Sequence, residues 1–321
     1  MRLRAAMAAV LGGALLAGCV SMPESRTAEP QGKIAVTQQQ AVQVYERYDQ
    51  VNNEASAKRD ADAAATVQAD PVLQTSRTSY RLAEASDEEP PDPFYHTGVR
   101  AFSPRFEEYP MWFVAVSRVN DNAEQVAVQV LGRESATSEW LVEQSAMLGA
   151  AELPGIRRVD GAIADVTGEQ AAAVEGVLGR VYEYLAGGEA PEDLDLALDG
   201  LESYRTWSQD STIQLEEVTD PSISCATDDR AEVRVLPTED GVLGVATARC
   251  ALEQSLREDV SGEMTLGGDL SALAPEEGRR VEFVSSHPLV VSVPDDGPVE
   301  VFSGGWRWAD VTMSGGGDDD G

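Results

Sequence analysis

Few side chains in this 321-residue chain are equipped for chemistry, and their spacing excludes most of it. The imidazoles are His96 and His287, and the thiols are Cys19, Cys225 and Cys250. No His-x-x-x-His pair or Cys/His cluster exists, so no zinc ligand set is assembled. His96 follows a Pro-rich loop and His287 precedes Pro288, and each reads as a surface or turn residue. There is no Gly-x-Ser-x-Gly elbow, Ser-x-x-Lys element, P-loop or dinucleotide fingerprint. Carboxylates are plentiful, but Glu192-Asp193-Leu194-Asp195 with Asp199-Gly200 lacks the alternating ligands of a calcium loop. It reads as an acidic helix start, favourable at that end of a helix, and Asp318-Asp319-Asp320 as a solubilising tail. No catalytic, cofactor-binding or metal-ligating residue is therefore expected, and no cofactor.

One cysteine has a chemistry of its own. Arg2 and Arg4 precede an apolar run from Ala5 to Ala17, and small residues lead to Cys19, the layout of a secretory signal peptide. The run is too short to span a bilayer. Its ending, Leu16-Ala17-Gly18-Cys19, resembles the lipobox of bacterial lipoproteins. That resemblance implies a diacylglycerol on the Cys19 thiol and cleavage before it, the alternative being an ordinary secreted protein. Two acyl chains, at about 0.8 kcal/mol per buried methylene, anchor a protein stably. The expected location is the cell membrane, lipid-anchored and facing outside the cytoplasm. The net charge of −32 becomes −34 once Arg2 and Arg4 leave. Such a surface repels phosphate backbones, so no nucleic-acid partner is expected.

Removing Cys19 from the count leaves Cys225 and Cys250, a disulfide candidate in an oxidising compartment, with two buried free thiols as the alternative. Hairpin pairing about Glu239-Asp240-Gly241 places Cys250 opposite Asp229, so the bridge would need residues 225 to 229 to fold back.

The elements that would position these residues fall into two similar series. Residues 19 to 36 read as a flexible tether after the signal peptide at 1 to 18. Thr37 with Gln40 forms a capping box, followed by Ala41, Val44, Tyr48, Val51 and Ala55 on one helical face. Thr167 with Gln170 repeats it, followed by Ala171, Val174, Leu178, Val181 and Leu185. Each helix precedes strand-rich sequence. After the first come a second helical piece at Val72 to Ala83 and strands at Met111 to Arg118, Gln125 to Gly132 and Glu139 to Met147. After the second come a helical piece at Glu192 to Arg205 and strands at Thr212 to Val218, Glu232 to Leu236 and Val242 to Leu252. Further strands are expected at Gly262 to Leu266, Arg280 to Ser286, Leu289 to Val293, Val299 to Phe302 and Trp306 to Thr312. The expected fold class is α+β, with two tandem domains at 37–165 and 166–313, each a capped N-terminal helix on a curved antiparallel sheet. Chance similarity of capped helices is the alternative to a duplication. A disordered Gly/Asp tail at 314–321 follows.

Tyr45, Tyr48, Asn52-Asn53, Ala57 and Asp60 on the first helix, Tyr109-Pro110-x-Trp112-Phe113-Val114, and Tyr182-x-Tyr184-Leu185-x-x-Gly188 resemble a family of uncharacterised actinobacterial lipoproteins built on one domain of unknown function. Each helix-plus-sheet half is also similar to the cone domains of nuclear transport factor 2 and steroid isomerase type. The resemblance carries no site residues. The favoured function is a non-catalytic lipoprotein, an interaction or accessory module with an unknown extracytoplasmic protein partner. A cone cavity holding a small apolar ligand or lipid is the alternative. An isomerase-like enzyme comes last, with Tyr48 or Asp49 as its only nameable residues. Trp306 and Trp308 alternate on a strand, as core or as a carbohydrate platform.

Overall fold

A two-residue periodicity sorts the sheet side chains into separate layers. The computed structural model describes residues 32–149, 153–196, 198–210 and 217–315. Cys19, the signal peptide, most of the tether and of the predicted Thr212 to Val218 strand, and the tail beyond Gly315 lie outside the described residues.

In chain order the elements begin with β1 (Lys33–Ile34), α1 (Gln38–Lys58), α2 (Ala61–Ala64) and α3 (Val72–Ala85). Then follow β2 (His96–Phe102), β3 (Arg105–Phe106), β4 (Met111–Val119), β5 (Asn122–Arg133), β6 (Leu141–Leu148), β7 (Arg158–Val159) and β8 (Ala162–Ile163). The second series is α4 (Gly168–Leu185), β9 (Leu194–Leu196), α5 (Leu198–Asp210), β10 (Ser222–Thr227), β11 (Arg234–Thr238), β12 (Gly241–Ser255), β13 (Arg280–Pro294), β14 (Val299–Ser303) and β15 (Arg307–Ser314). The protein is mixed α+β with mainly antiparallel sheets. Both capping boxes form: Thr37 and Thr167 each accept from the N–H of the glutamine three residues on, and each glutamine accepts in return.

β2, β4, β5 and β6 make a four-stranded sheet, and β9 to β15 a seven-stranded one. On β4, Phe113 and Ala115 face Tyr45 and Tyr48 of α1. Val114 and Val116 point the other way, onto Leu236, Leu243, Val245 and Val290 of the large sheet. The far face of the large sheet, with Ala246, Ala248, Leu289 and Val291, is covered by α4 and α5. The order is thus α1, small sheet, large sheet, α4 with α5. The shared middle cluster joins both halves, and residues 32–321 cluster as one compact unit.

Several strand expectations change. β13 is one strand running through His287-Pro288, because Pro288 sits opposite Thr247 without breaking the ladder. Leu194 and Leu196 are buried on either side of exposed Asp195, and this alternation makes β9 a strand parallel to β14, so the helix begins at Leu198. Gly262 to Leu266 forms only an isolated bridge from Met264 to Gly278. Ser314, expected in the tail, pairs with Arg280. Strands β2 and β10 are additional.

Cys225 lies directly opposite Cys250 in the β10–β12 ladder, and the two are joined by a disulfide. The hairpin register expected between Thr238 and Gly241 does form in β11. Residues 228–233 leave the sheet between β10 and β11, which resets the register; the Asp228 carboxylate holds that excursion through Arg230 at 2.6 Å.

His287 is not a surface residue. It is fully buried, its Nε2 lies 2.8 Å from Ser285 Oγ, and the Tyr204 ring meets it edge-on at 4.4 Å. Pro288 marks a strand here instead of a turn. Burial pushes the imidazole down to about 3. Because the unfolded histidine takes its proton near pH 6.5, the unfolded state binds more protons between those values. Stability is expected to fall as pH drops through 6.5, at a rate approaching 1.4 kcal/mol per unit. Urea unfolding at pH 6 and pH 5 checks this: His287→Gln should flatten the slope by about that amount, and equal slopes would refute it.

Candidate functional site

Helical and strand periodicity aim a set of polar side chains at one cavity of about 580 Å³. From α1 come Tyr48, Asn52, Ser56 and Arg59, spaced four, four and three. From α3 come Val72, Thr75, Ser76, Ser79, Tyr80 and Ala83, again a single helical stripe. Ser145 and Met147 of β6 point to it from the small sheet, and Ser286 and Pro288 of β13 from the large one. Gly304 closes the seam between the sheets: a Cβ there would stand 3.0 Å from the Ala146 Cα and the Met147 nitrogen. The cavity is therefore built by both halves.

α3 belongs to the first series by sequence yet docks on the second. Thr78 Oγ1 donates to the Ala309 carbonyl of β15 at 2.7 Å, and Arg81 donates to the carbonyls of Ala272 and Leu273.

Behind the α1 wall lies a buried ionisable pair. Asp49 Oδ1 sits 2.6 Å from His96 Nδ1, and Asp49 Oδ2 accepts the His96 backbone N–H at 2.7 Å. The rings of Tyr45, Tyr48 and Phe94 surround the imidazole at 4.8, 5.8 and 5.5 Å. His96 is thus an interior residue, the strand start that Asp49 fixes to α1, and not the surface residue its Pro-rich approach suggested. Its Nε2 has no hydrogen-bond partner among the described residues, and the ring lines the cavity.

Tyr48 stands between cavity and core. Burial raises its hydroxyl pKa well above the usual value, and Asp49 adds to the rise, while the Gln68 and Gln129 amides beside it pull the other way. The phenol stays protonated and serves as a donor. Gln68 Nε2 donates to Asn52 Oδ1 at 2.7 Å, and Gln129 Nε2 lies 2.9 Å from Ser145 Oγ.

Tyr48 and Asp49, the two residues named for acid–base work, thus stand at one place with His96. Gln68 and Gln129 had no signal that sequence reading could have used, because neither position reveals burial. The aromatic pair Trp306 and Trp308 packs against Trp207 at 5.3 and 4.7 Å, as part of the core and not as a platform. Among the described residues, no group of three His, Cys, Asp or Glu side chains could hold a metal ion. No helix among them is long and apolar enough to cross a membrane.

Comparison with known proteins gives one family. The domain of unknown function DUF8094 matches residues 33–306, which spans the cavity and both sheets. No curated protein and no solved structure matches the chain.

Proposed function

We propose that this chain, which belongs to the DUF8094 family, is a non-catalytic lipoprotein of actinobacterial type that holds a small molecule at the outer face of the cell membrane. The cavity between the two halves carries the reading. Its volume of about 580 Å³ is in the range of small-molecule sites, and apolar walls with a few convergent polar groups are the usual composition of such sites. The lipid anchor rests on the Leu16-Ala17-Gly18-Cys19 ending, and the strong negative charge favours a body standing off anionic headgroups. We read the two capped helices as copies of one helix-on-sheet unit, akin to the cone domains of nuclear transport factor 2 type. A non-catalytic role follows from Asp49, which spends both carboxylate oxygens on His96 and so acts as a clamp.

The exposed Asp87 to Pro93 loop, whose Glu88, Glu89 and Pro91 edge the cavity, favours a second reading in which a protein partner docks at its mouth.

Native mass spectrometry of the lipoprotein, extracted from its own membrane in mild detergent, tests the first reading. A co-purifying small mass is expected, and it should vanish in Ala83→Trp, which fills the cavity from α3. A bound protein in its place would support the second. The anchor is tested separately: Cys19→Ala should move the chain from the membrane pellet to precursor or medium, and unchanged detergent partitioning would refute lipidation.

A further inference from the structure

We infer that the cavity takes an uncharged molecule rich in O–H or N–H donors, a small saccharide or related polyol, bound through the amide oxygens of Gln68 and Gln129. This rests on reading the cavity as a binding site. Both glutamines line it and both are almost wholly buried, at 3% and 2% exposure. Each spends its amide nitrogen on a protein acceptor, Asn52 Oδ1 for Gln68 and Ser145 Oγ for Gln129. Each leaves its Oε1 without a hydrogen-bond partner. The Tyr48 hydroxyl lies beside both amides but has a single proton, so it can serve one of them at most. A buried acceptor with nothing to accept is costly, and a donor on a bound molecule removes that cost.

The charge pattern of the wall selects a neutral ligand. Arg59, Glu88, Glu89 and Arg307 are the charged lining residues apart from His96. Glu88, Glu89 and Arg307 are exposed, and the Arg59 guanidinium donates to the Glu88 carbonyl oxygen. An anion therefore meets no inward guanidinium, and it must enter against the field of a chain with net charge −32. A cation meets no free carboxylate, since Asp49 is committed to His96. What remains on the wall suits a polyol: paired acceptors, the Ser76 and Ser79 hydroxyls on α3, and the rings of Tyr80 and Phe94.

Isothermal titration calorimetry on the full chain carrying Cys19→Ala tests the inference. Glucose, N-acetylglucosamine and maltose serve as neutral polyols, glucuronate as an anionic sugar, and octanol as an apolar probe. At least one polyol is expected to bind with a millimolar or tighter Kd, with glucuronate at least tenfold weaker. Gln129→Met should weaken polyol binding about tenfold while leaving the melting temperature unchanged or higher, because it removes an unpaired buried acceptor. A merely structural glutamine would lower the melting temperature and spare binding. If Gln129→Met does not fold, Gln68→Met gives the same readout. Binding of octanol or glucuronate that Ala83→Trp abolishes, with no polyol binding, would overturn the donor-rich class and leave the cavity reading standing. Polyol binding that ignores both glutamine variants would also overturn it. Silence from every probe would remove the cavity reading itself.

Discussion

Asp49→Ala is expected to lower the unfolding free energy by about 3 kcal/mol. Two hydrogen bonds converge on this carboxylate, from the His96 backbone N–H and from the His96 ring. The ring is walled by Tyr45, Tyr48 and Phe94, so water cannot replace what the substitution removes. The loss also frees the start of β2 from α1, because His96 is the first residue of that strand. Asp49→Asn keeps one carbonyl acceptor and should cost about half as much. Urea unfolding at pH 7 measures both, and an Asp49→Ala midpoint within error of the wild type would refute the clamp.

Replacing Cys225 and Cys250 together by alanine is expected to cost about 3 kcal/mol, the chain-entropy value for the 24 residues that the bridge encloses. The enclosed segment contains β11 and the 228–233 excursion, whose pairing with β12 the bridge helps to hold in register. Reduction of the wild type should produce the same loss, while reductant should leave the double variant unchanged. Intact mass after denaturing alkylation supplies an independent check, with both thiols labelled only after reductant. Labelling of the untreated protein would refute the bridge.

Both capped helices were legible because a capping box is a local signal: Thr37 with Gln40 and Thr167 with Gln170 satisfy backbone donors within one turn. Strands β4, β5 and β6 were legible through their alternation and β-branched content. β2 was hidden because Gly98, with φ of 60°, interrupts its pairing with β4 between Thr97 and Arg100. β13 was split in two because Pro288 normally ends a strand. The buried face of α1 shows the deeper limit. Its apolar spacing through Val44 and Val51 suggested one stripe, yet Tyr45, Asp49 and Asn52 are buried while Val44 and Val51 are only half-buried. Polar residues read as exposed unless their partners are known, and those partners, His96 and Gln68, lie 47 and 16 residues away. The site was unreadable for the same reason: Tyr48 and Asp49 could be named, but the glutamines and His96 acquire meaning only through tertiary pairing.

The docking of α3 on β15 fixes an order of events in the life of the chain. The hydrogen bond from Thr78 to Ala309 joins residues 231 apart, so the helix is made long before its seat. A ribosome delivers α1, α3 and the small sheet first, and for the time needed to synthesise more than two hundred further residues the inner stripe of α3 has no floor beneath it. The cavity is closed by the last strand to be made. A nascent or prematurely terminated chain ending before Arg307 can own every glutamine, serine and tyrosine of the wall and still have no chamber, which makes ligand retention a marker of complete synthesis.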